Sequence, residues 1–334
     1  MKIRCLIILL VSSLLAAPAF ARQYTVGIIP YIPAGEFVVA DYKGFYQAEG
    51  LDVKSIYYTS TGDWVRALAN NKLDFSGLWN ATQVDMYYRG SSAKRLALMS
   101  YDSDDYKMVI PKDMTPKKLK GKNVAVFADY FGTHWFIQNY MSQGGLTMRD
   151  VNIVEMNNLE GSKNFDINRV SGMIFNGKYM NQSLKSGKGK LAPIDRELYI
   201  AATTGGPSYF ESEEKIPRDI LKKFLKAWVK SMIWIEDDKN APEYKEILHQ
   251  AFKDSLDLAG IESDADYLAL NPRSMLIPTK DLYRVNSDTP KTFKTLNKIR
   301  REIGYKNDRH YKPEDMYDTS IIIEVLNELG LTQK

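Results

Sequence analysis

The sequence predicts an α/β protein of two lobes that are joined by two chain crossovers. Short strand-like runs alternate with amphipathic segments from residue 24 to residue 204, the acidic turn YDSDD (101–105) interrupts them once, and the last third is almost entirely helical. Alternating strands and helices indicate a parallel sheet wound by right-handed crossovers. The interruption divides the strands into two sets, and we expect each set to form the sheet of one lobe.

The first set begins with the strand YTVGII (24–29), the Pro/Gly turn PYIPAGEF and a helix that ends at Gly50. It continues with the strand DVKSIYY, the helix WVRALANN, the strand LDFSGL, a helix that ends at Gly90, and the strand RLALMS (95–100). A glycine directly after a helical segment is typical of a left-handed C-cap. We therefore expect both helices to stop at their glycines.

The second set comprises YKMVI, KNVAVF, the helix GTHWFIQNYMSQGG, VNIVEM and SGMIF, and LYIAATT (198–204) leads from it into the C-terminal helices. Those helices have no sheet of their own, so we assign them to the first lobe. The chain then crosses to the second lobe near 104–110 and returns near 200–206, and two crossings make a hinge with a cleft beside it. The expected domains are a signal peptide (1–21), lobe I (22–106 and 204–334) and lobe II (107–203).

The N-terminus has the pattern of a secretory signal peptide. Lys2 and Arg4 precede the apolar run CLIILLVSSLLAA, and Ala19-Phe20-Ala21 gives the small-x-small pattern of a cleavage site. A membrane anchor is the alternative, but the run is shorter than the roughly 20 residues that cross a bilayer. Cys5, the only cysteine, lies inside this segment. We expect cleavage after Ala21 and an exported chain without disulfides, cysteine metal ligands or cysteine nucleophiles.

Composition narrows the function further. Cleavage leaves 313 of the 334 residues, which favours two domains, and the loss of two basic residues lowers the formal charge from +4 to +2. A charge so close to zero gives no indication of nucleic-acid binding. The 21 tyrosines are more than a core requires, because a buried tyrosine hydroxyl needs a partner. Some of the aromatic residues are therefore expected to line a binding site.

Three strand-to-helix junctions share small polar residues and an aromatic side chain: TSTGDW (59–64), WNATQ (79–83) and ADYFGTH (128–134). In open α/β sheets, ligands bind outside the carboxyl ends of the strands, where helix N-termini present unpaired N–H groups. At the first junction Ser60 or Thr61 can cap the helix. The alternative is that all these residues are ordinary N-caps.

Four phrases, KGFYQAEGLDV, ALANNKLDF, LKGKNVAVF and YDTSIIIEVLNELGL, give a family resemblance that extends over most of the mature chain. The chain resembles periplasmic substrate-binding proteins of the nitrate/sulfonate/taurine type, a group that includes binders of thiamine-pyrimidine precursors. The resemblance implies a two-lobed, type II periplasmic-binding-protein-like fold and a periplasmic monomer. It implies two partners, a small-molecule solute and an inner-membrane ABC permease, with no cofactor and no nucleic acid.

The resemblance also places ligand contacts at the strand ends that the junctions select. These implied contacts are Tyr31, Ser60, Thr61, Trp79, Asn80 and the turn Phe131, Gly132, Thr133. One departure lies in lobe II: the group commonly carries a Gly-x-Val-Asp-Ala phrase followed by an aromatic-acidic pair, whereas this chain has NRVSGMIFNGKYM. Asn176 and Tyr179 stand where that pair is expected, so we include both in the candidate site and do not copy the substrate from the family.

The charge of the junction loops bears on the ligand. They carry several carboxylates, namely Glu36, Asp63, Asp102, Asp104, Asp105 and Asp129, no arginine, and Lys178 as the only nearby lysine. Carboxylates disfavour an anionic ligand, and flat aromatic side chains can sandwich a planar one. The aromatic candidates are Tyr31, Trp64, Trp79, Tyr101, Tyr130 and Phe131. We expect a neutral or cationic heterocycle such as an aminopyrimidine; alternatively, these acids are solvated loop residues and the ligand is a sulfonate or taurine-type anion.

Neither a metal nor an enzymatic reaction is indicated. His134, His249 and His310 share no short metal-ligand spacing, and no G-x-S-x-G, H-E-x-x-H, phosphate-loop or dinucleotide motif is present. We predict neither metal nor catalytic residues. Two open alternatives are a secreted enzyme that uses two carboxylates across the cleft and a ligand-sensing partner of a membrane receptor. In the C-terminal region, the basic run ILKKFLKAWVK is either a docking surface or a solvated face, and Trp228, Met232 and Ile235 are expected core residues.

Overall fold

A computed structural model describes residues 22–29, 34–88, 90–98, 106–127, 131–195, 205–211, 215–253 and 316–331, with the single residues 279, 282, 298 and 301. Three predicted segments lie wholly outside these ranges: the signal peptide, the turn YDSDD and the strand LYIAATT. One of the expected C-terminal helices is KTFKTLNKIRREIG (291–304), of which only Lys298 and Arg301 are described, and both are helical.

The strands of the described residues are, in chain order, β1 (Tyr24–Ile28), β2 (Val53–Tyr57), β3 (Phe75–Trp79), β4 (Ser92–Arg95), β5 (Tyr106–Pro111), β6 (Asn123–Val126), β7 (Asn152–Glu155), β8 (Gly172–Asn176), β9 (Gly189–Leu191) and β10 (Gly205–Glu211). The helices are α1 (Gly35–Tyr42), α2 (Phe45–Ala48), α3 (Thr61–Ala69), α4 (Asn80–Tyr88), α5 (Pro116–Leu119), α6 (Phe131–Ser142), α7 (Asn158–Asp166), α8 (Gly177–Lys185), α9 (Arg218–Glu236), α10 (Ala241–Phe252) and α11 (Ser320–Glu328). Short 3-10 turns occupy Met148–Asp150 and Asp238–Asn240.

The strands form two five-stranded sheets, ordered β2-β1-β3-β10-β4 and β7-β6-β8-β5-β9. Both sheets are mixed, so the expectation of purely parallel sheets is wrong. Strand β10 runs antiparallel to β3 and β4, and β5 runs antiparallel to β8 and β9. A parallel neighbour requires a crossover, usually a helix, between the two strands. Among the described strands, β5 follows β4 and β10 follows β9, and in each case the preceding strand belongs to the other sheet. No crossover within one sheet therefore sets their direction, and antiparallel pairing is open to them.

The predicted helix before Gly50 is interrupted. Helix α1 ends at Tyr42, Gly44 takes a left-handed conformation with φ of 68°, and α2 resumes at Phe45. Glycine adopts this conformation at little cost and is a poor residue for a helix interior, so the chain turns there. Gly50, with φ of 72°, ends the second segment as the sequence predicted.

The strand predicted at 95–100 is displaced towards the N-terminus. Strand β4 covers Ser92–Arg95, and the apolar residues that follow it, 96–98, are buried without being part of a strand. The N–H of Leu96 still donates to the carbonyl of Pro207, at 2.8 Å. An apolar run signals burial, and its periodicity alone does not distinguish a buried strand from a buried irregular segment.

The first sheet is covered by helices from both ends of the chain. Helix α9 packs against α1, α2 and α11, and its Phe224 stacks on Phe75 of β3 with ring centroids 3.7 Å apart. Trp228, Met232 and Ile235 on the same helix are buried, as predicted. Such burial contributes on the order of 2 kcal/mol for each large apolar side chain. The core of the first sheet therefore depends on residues far apart in the sequence.

The basic run of α9 lies on its outer face, where it forms ion pairs. Lys222 pairs with Glu324 and Glu328 of α11, and Lys226 pairs with Glu49 and Glu328. These lysines hold neighbouring helices together at the surface. No described helix is both long enough and apolar enough to cross a bilayer.

Candidate functional site

The carboxyl ends of the parallel strands lie along one edge of each sheet. In the first sheet, Ile28 at the end of β1 is in register with Tyr57 at the end of β2, and β3 runs parallel beside β1. In the second sheet, Val126 at the end of β6 is in register with Glu155 of β7 and Ile174 of β8. The junctions selected from the sequence therefore share two edges, one in each sheet.

These two edges face each other. Helix α4, which follows β3, packs against α6, which follows β6 in the other sheet. Near the end of β2, a Cβ atom on Gly62 would lie only 3.1 Å from Oε1 of Glu155, the last residue of β7. A larger residue at position 62 would press against the other lobe. The arrangement brings strand ends from both sheets towards a common region, as binding between two lobes requires.

At the junction of β2 and α3, the predicted polar residues support the helix. The Ser60 hydroxyl oxygen accepts a hydrogen bond from the N–H of Asp63 at 3.3 Å, so Ser60 is the N-cap. The Asp63 carboxylate pairs with Arg66 one turn later at 2.6 Å, and it is 59% exposed. Thr61 is buried in the first turn. The carboxylate of Asp63 is thus largely neutralised by an arginine.

Trp64 points into the first lobe. Its indole N–H donates to the Ser76 hydroxyl at 3.1 Å, and that hydroxyl donates to the carbonyl of Gly27 at 2.8 Å. This chain of hydrogen bonds joins α3 to β3 and β1. Only 1% of Trp64 is exposed. The residue was expected to offer a flat face to a ligand, and its polar group is engaged with the sheet instead.

The junction of β1 and α1 contains a buried carboxylate. Glu36 lies in the first turn of α1 with no exposed surface, and neither of its carboxylate oxygens has a hydrogen-bond partner among the described residues. The hydroxyls of Tyr46 and Tyr57 are likewise buried without a partner in this part of the structure. Tyr31, the other predicted residue of this junction, lies outside the described residues.

Burial changes the acidity of these groups. Desolvation raises the pKa of Glu36 from 4.5 to about 7, and the residue's own backbone N–H opposes this only in part. Desolvation also raises the pKa of Tyr46, to which the nearby charges of Asp41, Tyr57 and Glu36 add. Desolvation is likewise the main reason that the pKa of Tyr57 is raised. At neutral pH Glu36 is therefore divided between its protonated and ionised forms.

The junction of β3 and α4 is buried as well. Trp79 and Asn80 are 6% and 4% exposed. The side-chain oxygen of Asn80 accepts hydrogen bonds from Nη1 of Arg95 and from the hydroxyl of Tyr317, the latter at 3.1 Å. This edge of the first sheet thus includes a contribution from the C-terminal segment.

Arg95 is a residue that the sequence analysis missed. It lies at the end of β4, is 1% exposed, and reaches the end of β3, where Nη2 donates to the carbonyl of Leu78 at 2.8 Å. Its guanidinium lies 5.5 Å from the ring centroid of Tyr317. Desolvation lowers the pKa of Arg95, and Tyr317 opposes the change. No carboxylate among the described residues forms a salt bridge with it. Only the junction loops were considered in the sequence, and the set counted there contains no arginine. Arg95 lies in strand β4 and was therefore not considered.

The second lobe contributes the start of α6 and the junction of β8 and α8. Gly132 and Thr133 are buried in the first turn of α6, and Phe131 begins that helix. Asn176 ends β8, and Tyr179 lies in the first turn of α8. Asp102, Asp129 and Tyr130 lie outside the described residues. His134, in the first turn of α6, is only 8% exposed. Among the described residues, no group of three or more His, Cys, Asp or Glu side chains is placed to hold a metal ion.

Two five-stranded mixed sheets whose strand-end edges face each other define a protein with the periplasmic-binding-protein fold. Several solved structures of low sequence identity share it. A ligand-binding component of an ABC-type import system from Staphylococcus aureus, with zinc bound, has a TM-score of 0.64 at 15% identity, over 91% of this chain and 99% of that one. The nitrate-binding protein NrtA from Synechocystis PCC 6803 has a TM-score of 0.63 at 14% identity, over 92% and 89%.

A third structure, the aliphatic sulphonate binding protein SsuA from Escherichia coli, has a TM-score of 0.57 at 13% identity, over 84% of this chain and 93% of that one. No curated protein is similar enough in sequence to match the chain. The sequence profile described as NMT1/THI5 like matches residues 34–241, well over half of the chain. The chain therefore belongs to the NMT1/THI5-like family.

Proposed function

We propose that this chain is the solute-binding component of an ABC import system, exported to the periplasm after removal of residues 1–21. It captures a small neutral or cationic planar heterocycle, such as an aminopyrimidine, and delivers it to an inner-membrane permease. The family, the fold and the import role of the Staphylococcus aureus neighbour support the import role of this chain. The observation that carries the ligand class is the buried carboxylate of Glu36.

Glu36 favours a ligand that donates hydrogen bonds. Burying a carboxylate without a hydrogen-bond partner is costly, and proteins rarely do it outside functional sites. A ring N–H, an exocyclic amino group or a protonated ring nitrogen of a ligand would supply the missing donor. An anionic ligand beside Glu36 would add repulsion to the cost of burial. The heterocycle proposal follows from this asymmetry.

Fewer carboxylates bear on the charge of the ligand than the sequence suggested. Asp63 is exposed and paired with Arg66, so its carboxylate contributes little to ligand charge selection. Asp102 and Asp129 remain candidate contacts on the sequence alone. Glu36 is thus the one described carboxylate of the site that is buried and without a partner.

Closure of the lobes supplies the transport signal. We assign residues 22–106 and 204–334 to lobe I and 107–203 to lobe II, which together act as a monomer. A ligand that contacts both strand-end edges binds the closed form more tightly than the open form, and it shifts the population towards closure. The permease then recognises the closed form. This cycle requires no covalent change and no cofactor.

Native mass spectrometry of freshly purified mature protein tests the proposal first, because tight binders often retain their solute. A thermal-shift panel follows, with the hydroxymethyl aminopyrimidine half of thiamine, taurine and other sulfonates, and choline as a quaternary amine. We expect the aminopyrimidine to raise the melting temperature, and sulfonates and choline, whose quaternary nitrogen has no N–H, to leave it unchanged. Recovery of the solute unchanged after prolonged incubation is expected, and its conversion would instead indicate an enzyme on the same scaffold.

A pair of matched variants assigns the effect to Glu36. Glu36→Gln removes the charge with almost no change of shape, and Asp63→Asn makes the same change at an exposed carboxylate of the neighbouring junction. We expect Glu36→Gln to weaken binding of the aminopyrimidine at least about tenfold, since a charge-assisted hydrogen bond is worth roughly 1.5–3 kcal/mol. Asp63→Asn should retain wild-type affinity. Equal losses in both variants would remove Glu36 from the site.

Arg95 favours a second candidate, an anion binder of the sulfonate type. Its buried guanidinium has only neutral hydrogen-bond partners among the described residues, and two structural neighbours are a sulphonate-binding and a nitrate-binding protein. The same thermal-shift panel separates the candidates. If sulfonates alone stabilise the fold, the anion candidate replaces the heterocycle.

A further inference from the structure

A row of basic residues lies along one edge of the second sheet, opposite the strand ends of the candidate site. In the order β7-β6-β8-β5-β9, each strand has one basic residue at this edge, either directly next to the strand or three positions before it. The five residues are Arg149, Lys122, Arg169, Lys112 and Lys188, and we call them the basic edge. All five are exposed.

The strand directions bring these residues to the same side. Strands β6, β7 and β8 are parallel and begin at this edge, β5 is antiparallel to β8 and ends there, and β9 is antiparallel to β5 and begins there. The carbonyl of Lys122 accepts a hydrogen bond from the N–H of Asn152 at 2.9 Å, and the carbonyl of Lys188 accepts one from the N–H of Lys112 at 3.3 Å. Neighbouring strands lie about 4.8 Å apart, so the row extends over roughly 19 Å.

The charges of the basic edge are largely left unneutralised by the chain. None of its five residues forms an ion pair with a described carboxylate. Two nearby carboxylates, Asp113 and Asp150, are paired with lysines outside the row. Asp166 lies beside one end of it, where Nζ of Lys188 donates to the Asp166 carbonyl at 3.1 Å. The remaining four cations face solvent.

The same edge of the first sheet has a different composition. Asp52 and Asp74 stand directly before β2 and β3, Arg22 pairs with Asp74 at 2.6 Å, and Lys72 is exposed. Helix C-termini favour nearby cations, but in both sheets helices follow the parallel strands, so this effect applies to both edges. Residues 107–203 contain 14 basic and eight acidic residues, whereas the rest of the mature chain contains 29 and 33. The basic edge is therefore a property of the second lobe and not of the architecture.

An exposed apolar side chain belongs to the same edge. Ile167 follows α7 and is 59% exposed, more than any other large apolar residue that the structure describes. Asn168 takes a left-handed conformation with φ of 61° and turns the chain towards Arg169, whose carbonyl accepts a hydrogen bond from the side chain of Asn123 at 3.4 Å. Protein segments that bind lipid surfaces combine basic residues with apolar side chains that insert at the headgroups.

We propose that the basic edge and Ile167 bind the surface of an anionic phospholipid membrane. The cations contact lipid phosphates, and Ile167 enters the layer between the headgroups and the acyl chains. The charges are spaced along a line and not gathered into a pocket, which suits an extended anionic surface better than a single small anion. This binding goes beyond solute capture: it holds the exported chain beside an inner-membrane permease and leaves the strand ends of the candidate site, at the opposite edge, away from the lipid.

Vesicle flotation of the mature chain without solute tests the proposal. We expect the protein to float with vesicles of phosphatidylglycerol and phosphatidylcholine and to stay behind with vesicles of phosphatidylcholine alone. Binding should weaken as the salt concentration rises from about 0.05 to 0.3 M, because ions screen exposed charges. Equal recovery with both kinds of vesicle, or recovery with neither at low salt, would overturn the proposal.

Two double variants with the same change of net charge assign the binding to the edge. Lys112→Gln with Lys122→Gln removes two cations of the basic edge, and Lys54→Gln with Lys72→Gln removes two exposed lysines of the first sheet. Each basic residue near an anionic membrane strengthens binding by about fivefold, so the first variant should bind about 25-fold more weakly. The second should retain the wild-type affinity. Equal losses would mean that net charge alone attracts the protein to the vesicles.

Ile167→Ser separates a lipid surface from other acidic partners. We expect it to weaken binding to the vesicles on the order of tenfold, because the apolar side chain no longer inserts. Soluble polyglutamate is the comparison, since it offers carboxylates without an apolar layer. If the wild type binds polyglutamate as tightly as the vesicles and Ile167→Ser changes neither, the partner is an acidic protein surface and the membrane proposal is wrong.

Salt-sensitive self-association without vesicles, removed by the Lys112 and Lys122 changes, would instead make a second copy of the chain the occupant. None of these measurements uses a solute. Their failure therefore leaves the proposed import function intact, and failure of the thermal-shift panel leaves membrane binding intact.

Discussion

Two buried charges at the same edge of the first sheet are treated in opposite ways. Arg95, at the end of β4, has hydrogen bonds to Asn80 and Leu78 and lies over the ring of Tyr317. Glu36, in the first turn of α1, has no partner for either oxygen among the described residues. Burial opposes ionisation at both. This difference is our reason for treating Arg95 as part of the framework and for proposing Glu36 as a ligand contact.

The largest expected effect comes from removing the framework charge. Arg95→Met leaves the Leu78 carbonyl and one lone pair of Asn80 without donors, and we expect the free energy of unfolding to fall by about 3–5 kcal/mol. Urea titration of the mature protein measures the change. The stability of Arg95→Lys should lie between those of the wild type and Arg95→Met, because a single ammonium keeps the charge but does not match the forked guanidinium. An Arg95→Met protein as stable as the wild type would mean that the desolvation cost of the guanidinium exceeds the stabilisation from its hydrogen bonds.

The second effect is a pH dependence due to Glu36. The pKa of Glu36 is about 7 in the folded protein, whereas a glutamate in the unfolded chain has its ordinary pKa of 4.5. Between these values the folded state binds more protons, so the free energy of unfolding should decrease as the pH rises through this window. The shift corresponds to roughly 3 kcal/mol. Glu36→Gln should abolish this decrease and be more stable than the wild type at about pH 8.

Urea titrations at several pH values between about 5 and 8 compare the two proteins. Identical slopes in the wild type and Glu36→Gln would contradict the assignment to Glu36. A slope of the opposite sign would indicate that Glu36 is ionised and paired in the folded state. Either result would mean that Glu36, like Arg95, is part of the framework.

A neutral hydrogen bond at the junction of β2 and α3 calibrates these values. Trp64→Phe removes the indole N–H that donates to Ser76 and keeps an aromatic ring in the core. We expect the free energy of unfolding to fall by about 1–2 kcal/mol, with solute affinity unchanged. A loss of affinity greater than the loss of stability explains would place Trp64 at the ligand after all.

The smallest effect is expected at the surface. Glu324 of α11 accepts ion pairs from Arg218 and Lys222, and all three side chains are partly solvated. Exposed ion pairs contribute little because water and salt screen them. Glu324→Gln should change the melting temperature by less than about 2 °C, and added salt should reduce even that difference. A larger change would show that exposed pairs rival the buried charges in this protein.

Several elements were predictable because their signals are local. Ser60 caps α3, Gly50 ends α2, and Trp228 lies in the core, each from a pattern within one helical turn or two. The break at Gly44 was missed because a helical apolar pattern continues across it. The antiparallel strands β5 and β10 were missed because strand direction depends on how the chain returns between lobes, which alternation does not encode.

In the candidate site, too, some residues were predictable from local signals and others were not. The sequence placed Asn80 and Glu36 at strand ends, and the structure shows where their polar atoms are. The sequence did not reveal Arg95 as a site residue, because an arginine at the start of an apolar run is expected to be a strand residue whose guanidinium is solvated. The short spacing between Asp63 and Arg66 is a local signal of the ion pair that the structure shows.

By itself, the sequence determined which residues stand at the ends of strands, because periodicity, caps and glycines act over a few neighbouring positions. Only the tertiary structure decided which of those residues keep contact with water and which face each other. Tyr317 and Asn80 meet across 237 positions, and Glu36 is sealed by packing from several elements. Desolvation depends on every atom nearby in space, and no local pattern contains that information.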